Sequence, residues 1–96
     1  MNLAYIKQLV IPIFEKYGVS RASLFGSVIR GEDTEKSDID ILVDVPNGTT
    51  LFDMVGIKLD LEEKLKKKVD LVEYKAIKPA LKDNILSSQL PIYQTV

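Results

Sequence analysis

The sequence predicts an α/β (α+β) domain: a small mixed β-sheet of about three to four strands, with helices packed mainly on one face. Three observations lead there. Apolar residues recur at helical spacing in two long stretches, short alternating or apolar runs separate them, and 96 residues leave no room for two full helical layers around a sheet. The order along the chain is helix, strand, turn, strand, helix, strand, helix. No repeat, low-complexity segment or interdomain linker interrupts it, so residues 1–96 read as a single domain.

The first helix covers residues 3–17, where Leu3, Ile6, Val10, Ile13 or Phe14, and Tyr17 form one stripe. Pro12 removes an internal hydrogen bond, so a kinked helix or two short ones are expected, ending at Gly18. Residues 20–25 read as a short strand running into Gly26-Ser27, and residues 28–31 as the opening turn of a helix or a tight loop. After the polar stretch 32–37, Ile39, Ile41 and Val43 alternate with Asp40, Leu42 and Asp44 as in a second strand.

Pro46-Asn47-Gly48 marks a turn, with Thr49 or Thr50 as the N-cap of a long helix. Its stripe is Leu51, Met54, Ile57 or Lys58, Leu61 and Leu65, while Glu62, Glu63, Lys64, Lys66, Lys67 and Lys68 cover the outer face and the last turn. Residues 69–73 form a third strand and residues 79–88 a last short helix, with Pro79 tolerated in its first turn. Residues 91–96 are too short to assign.

Composition narrows the chemistry. Thirteen Lys and Arg against 14 Asp and Glu give a net charge of -1, which does not support direct nucleic-acid binding. The lysines at 64–68 read as a solvated helix end. The chain has no Cys and no His, which excludes thiolate or His-ligated zinc and every catalytic pair built on His. Carboxylates, hydroxyls, Lys and Arg are left to do any chemistry. No apolar run reaches the roughly 20 residues that span a bilayer. The first residues lack a signal-peptide pattern, so a cytoplasmic protein without membrane contact is expected.

Three features carry chemical meaning: Gly26-Ser27 after the first strand, Asp38-Ile39-Asp40 at the start of the second, and Asp70 in the third. Asp is depleted in strands, and a carboxylate among apolar residues calls for compensation, of which a bound cation is the strongest kind. Asp38 and Asp40, two apart in extended chain, point to one face, with Ile39 and Ile41 turned to the helices. Oxygen ligands alone suit Mg²⁺ or Mn²⁺ held jointly with substrate phosphates. A two-ion arrangement would take Asp70 as a third carboxylate, provided its strand lies beside the one bearing Asp38 and Asp40. Asp70 could then also accept the proton of an acceptor hydroxyl. Gly26 lets backbone approach a phosphate, Ser27 adds an N–H and a hydroxyl, and Arg30 offers a guanidinium fork. Tyr5, Tyr17, Tyr74 and Tyr93 read as packing residues with exposed hydroxyls.

The run Gly26-Ser27-Val28-Ile29-Arg30-Gly31, followed by Ser37-Asp38-Ile39-Asp40-Ile41-Leu42-Val43, resembles the DNA polymerase β-like nucleotidyltransferase superfamily. More closely, it is similar to the minimal nucleotidyltransferases (MNT), small proteins paired with a HEPN-domain partner. The specific match covers residues 24–43 and resumes at 69–72, and Ile29 stands where the family often has Ala. The resemblance implies a nucleotidyltransferase fold, with Gly26 and Ser27 holding the triphosphate, Asp38 and Asp40 the metal ions, and Asp70 as the third catalytic carboxylate. It further implies transfer of AMP from ATP to a tyrosine of a HEPN toxin, so that the chain is an antitoxin; separately, apolar surface left exposed by so small a one-sided sheet domain leads to the expectation of a homo- or hetero-oligomer. Two alternatives stand beside it: an antitoxin that neutralises the HEPN ribonuclease by binding alone, and a small-molecule transferase of the aminoglycoside type.

Overall fold

The structure, a computed structural model, describes residues 3–25, 38–80, 83 and 88–95. In chain order these form helix α1 (Leu3–Tyr17), strands β1 (Arg21–Phe25) and β2 (Ile39–Asp44), helix α2 (Leu51–Leu65), strand β3 (Val69–Glu73), a 3₁₀ turn (Tyr74–Ala76) and strand β4 (Leu90–Gln94). The sheet order is β3-β2-β1-β4, with β1 antiparallel to both β2 and β4 and β2 parallel to β3. A parallel pair needs a crossover, and α2 supplies it.

Of the two expected forms, a kinked helix or two short ones, the second is excluded: α1 is one helix with Pro12 inside it. Pro12 is exposed, on the water side, where solvent can replace the hydrogen bond its ring removes. The helix stops at Gly18, whose φ of 72° is left-handed. There the Gly18 N–H donates to the Glu15 carbonyl (3.2 Å) and the Val19 N–H to the Phe14 carbonyl (3.0 Å), the paired bonds of a Schellman ending. Val19 and Phe14 are both buried, which adds the hydrophobic contact of that motif.

Of the two threonines, Thr50 caps α2. Its side chain accepts from the Asp53 N–H, and the Asp53 carboxylate accepts from the Thr50 N–H, a reciprocal capping box. Thr49 instead closes the preceding turn by donating to the Pro46 carbonyl at 2.7 Å. At the other end Lys66 takes a left-handed φ of 58°, and its N–H returns to the Glu62 carbonyl.

Ile6, Val10, Ile13 and Phe14 of α1 and Ile57, Leu61 and Leu65 of α2 form one cluster with Ile39, Ile41 and Val43 of β2. Each such side chain, taken fully out of water, contributes about 1.5–3 kcal/mol. The expected stripe on α2 holds from Met54 to Leu65, with Ile57 rather than Lys58 facing inward, and only Leu51 falls outside it. Leu51 is 79% exposed, and Phe52, Val55 and Leu59 also lie outward, because the core-facing side of the helix is the line Met54, Ile57, Leu61, Leu65. Residues 91–96, too short to assign from sequence, contain most of β4, with Pro91 opposite Ser23 at a register shift. Proline is accommodated at edge strands and irregularities of this kind. Pro79, Ala80 and Asp83 are helical, in line with the last helix, whose other residues, apart from the turn residue Ser88, lie outside the described ones.

Candidate active site

Register places the acidic residues. Asp40 of β2 pairs with Asp70 of β3 on one side and with Phe25 of β1 on the other, so the three side chains form a row on one face of the sheet. Ile39 and Ile41, on the opposite face, are buried against the helices. The two carboxylates therefore occupy the face turned away from the helical layer. Asp40 is half-buried and Asp70 exposed, while Asp38 lies exposed immediately before β2.

Local chemistry fixes the two strands against each other. The Ile39 N–H donates to the Lys68 carbonyl at 2.9 Å, which sets the parallel register just before the Asp40–Asp70 level. The Val69 N–H is held by the Glu62 carboxylate, also at 2.9 Å, tying the start of β3 to the last turn of α2. β1 ends at Phe25, beside Asp40, so the chain leaves that strand at the level of the carboxylates. Gly26, Ser27 and Arg30, the residues assigned to phosphate binding from sequence, lie outside the described residues. The same holds for the turn expected at 28–31.

Among the described residues no group of three or more ligating side chains gathers as a metal-holding cluster. Asp40 and Asp70 are brought together as a pair, and Asp38 stands beside the strand start. In kind, this donor set fits a hard divalent cation. It is all oxygen, and Mg²⁺ takes one or two carboxylates, with phosphate and water completing its shell.

The second row on the same face is Ser23, Leu42 and Val72, and the third contains Arg21 and Asp44. These rows are roofed by Tyr74, which sequence reading treated as a packing residue with an exposed hydroxyl. Its hydroxyl is instead inside, 2.7 Å from Ser23 Oγ and 2.7 Å from Gln89 Oε1. The Arg21 guanidinium lies 4.0 Å from the Tyr74 ring centroid and its Nε is 3.4 Å from the Asp44 carboxylate. No sequence signal marked Tyr74 or Ser23, because only the strand order brings them together. A separate groove of about 300 Å³, lined by Pro12, Ile13, Lys16, Asp60, Glu63 and Lys64, runs between α1 and α2. It belongs to the helical layer, away from the carboxylates.

A mixed four-stranded sheet with α1 and α2 packed on one face matches a nucleotidyltransferase fold, and the sequence matches the family described as polymerase beta, nucleotidyltransferase, over residues 8–95. The chain belongs to that family and is a nucleotidyltransferase. Within it, the chain stands with the minimal nucleotidyltransferases. A solved structure of one candidate member superposes with a TM-score of 0.81 at 36% identity, covering 95% of this chain and 96% of that one. A candidate protein adenylyltransferase of Methanocaldococcus jannaschii is 50% identical over 92 residues, 96% of this chain and 99% of the relative. A chain from the complex of a tri-AMPylated Shewanella oneidensis HEPN toxin with an MNT antitoxin shares the fold at 19% identity. Its TM-score is 0.74, with 98% of this chain and 74% of that chain covered. No helix among the described residues is long and apolar enough to cross a membrane.

Proposed function

We propose that residues 1–96 form a single nucleotidyltransferase domain that moves AMP from ATP to a tyrosine hydroxyl of a partner HEPN toxin, and so acts as a cytoplasmic antitoxin. The observation that carries the reading is the level pairing of Asp40 with Asp70 on the face turned away from α1 and α2. It is supported by half-identity to a candidate protein adenylyltransferase, and by the AMP carried by the HEPN toxin in the complex that shares the fold.

In this reading Gly26, Ser27 and Arg30 bind the triphosphate, and Asp38 and Asp40, with Asp70, are the ligands for two Mg²⁺ ions. Mg²⁺, when bound, supplies charge neutralisation for the phosphates. Asp70, at the exposed edge of the pair, takes the proton of the acceptor hydroxyl as its oxygen attacks the α-phosphorus. The bond from that phosphorus to the pyrophosphate oxygen breaks, and pyrophosphate leaves.

The test is incubation of the purified chain with ATP, Mg²⁺ and its HEPN partner, followed by intact mass of the partner. One or more added AMP units are expected, absent with the Asp38→Asn/Asp40→Asn double variant. A stable complex without any mass gain would overturn transfer in favour of neutralisation by binding alone. AMP on an aminoglycoside without a partner would point to the small-molecule class. Sedimentation of the same mixtures reads the oligomeric state, which the reading takes to be a homo- or hetero-oligomer.

A further inference from the structure

Tyr74 follows directly on β3, the edge strand that carries Asp70. From there its side chain reaches back over β2 to β1, two strands away, and meets Ser23. Leu42 of β2 is fully buried, although it lies on the face away from the helices and outside their core cluster. The 3₁₀ turn that carries Tyr74 packs against β2.

The polar contacts have one consistent direction. Gln89 Oε1 can only accept, so the single Tyr74 proton goes there at 2.7 Å. Ser23 Oγ, buried, must then donate to Tyr74 Oη, also at 2.7 Å. One hydroxyl thus joins the exit of β3, the centre of β1 and the residue before β4.

We infer that Tyr74 is a positioning residue, a strap that fixes β3 and hence Asp70 against Asp40. β2 is held by a strand on each side, but β3 pairs with β2 alone among the described strands. Loosening the strap therefore frees β3 from its far end, against the Glu62 tether at its start, and moves Asp70 more than Asp40. The effect falls on the acceptor side of the reaction and spares nucleotide binding. This rests on the reading in which Asp70 takes the acceptor's proton.

Tyr74→Phe removes only the hydroxyl, and Ser23→Ala removes its donor from the other side. Both are made in the full chain and compared with wild type by amide hydrogen exchange, by ATP affinity, and by steady-state AMP transfer to the HEPN partner. Exchange in β3 is expected to rise in both variants with β2 unchanged. The kcat should fall about 10- to 100-fold, as for supporting residues of catalytic ligands, while KM for ATP stays within about twofold. Unchanged β3 exchange with unchanged kcat overturns the strap, and so does a common deterioration of kcat and KM with β2 loosened too. If wild type transfers no AMP, the functional reading fails by itself. The strap is then decided by exchange alone: β3 amides equally protected in wild type and Tyr74→Phe would refute it.

Discussion

Asp40 and Asp70 stand level with one another on neighbouring parallel strands, the first half-buried inside the sheet and the second exposed at its edge. Two like charges side by side on one sheet face repel, a cost that a bound cation would offset. Asp70→Asn should therefore leave the melting temperature unchanged or raise it, while transfer falls by at least about 100-fold. Thermal melting and AMP incorporation read the two effects separately. An Asp70→Asn variant that keeps most of its transfer would remove this residue from the chemistry.

Gly56 of α2 faces Tyr17 of α1, and a Cβ there would lie 2.7 Å from the Tyr17 hydroxyl oxygen. Alanine in a helix interior is worth about 1 kcal/mol over glycine, a gain that the contact should cancel. With Tyr17→Phe in the background, the nearest remaining atom is 3.4 Å away and the gain should reappear. The coupling is measured as a double-mutant cycle in urea. Full stabilisation by Gly56→Ala alone would show that the helices are not set by this contact.

The Tyr17 phenol has its pKa raised, first by burial and then by Asp60, which accepts its hydrogen bond at 3.1 Å and also repels the phenolate. Because the folded state holds this proton more tightly than the unfolded chain, its contribution is intact below the unfolded value of about 10. It is lost as the pH climbs from there through the folded value. Urea midpoints should fall more steeply above about pH 10 in wild type than in Tyr17→Phe. Parallel curves would contradict this.

Leu61 and Phe52 lie on opposite sides of α2, one fully buried and the other 89% exposed. Leu61→Ala should cost about 2–5 kcal/mol by leaving a cavity between helix and sheet. Phe52→Ser should leave the denaturation midpoint nearly unchanged. Equal losses in the two variants would mean that the outward face of α2 is covered in solution.

The parts of this fold that could be read in advance are those that local spacing determines. Alternation in residues 39–44 marked both the strand and its two faces, and the Thr-Thr pair after the Pro46-Asn47-Gly48 turn marked the helix start. What escaped depends on the company a segment keeps. Residues 91–96 are too short to assign by themselves, yet Leu90–Gln94 is an edge strand of the described sheet with its proline at a register shift. Pro12 left open a kinked helix or two short ones, and its exposed position, where water can replace the lost bond, lets the helix run on as one. The conjunction of Asp40 with Asp70 required knowing that β3 lies beside β2, which spacing along the chain does not contain. Tyr74 was illegible for the same reason, since its partners lie 51 and 15 residues away.

Both margins of the sheet are poor templates for a strand from another molecule. At β4 the ladder is irregular at Pro91, and at β3 it presents the exposed charge of Asp70. The exposed charge of Asp70 is thus also a guard against lateral growth into filaments. Neutralising it for a mechanistic experiment strips that guard, and concentrated preparations of such a variant lose one of the two barriers to stacking edge on edge.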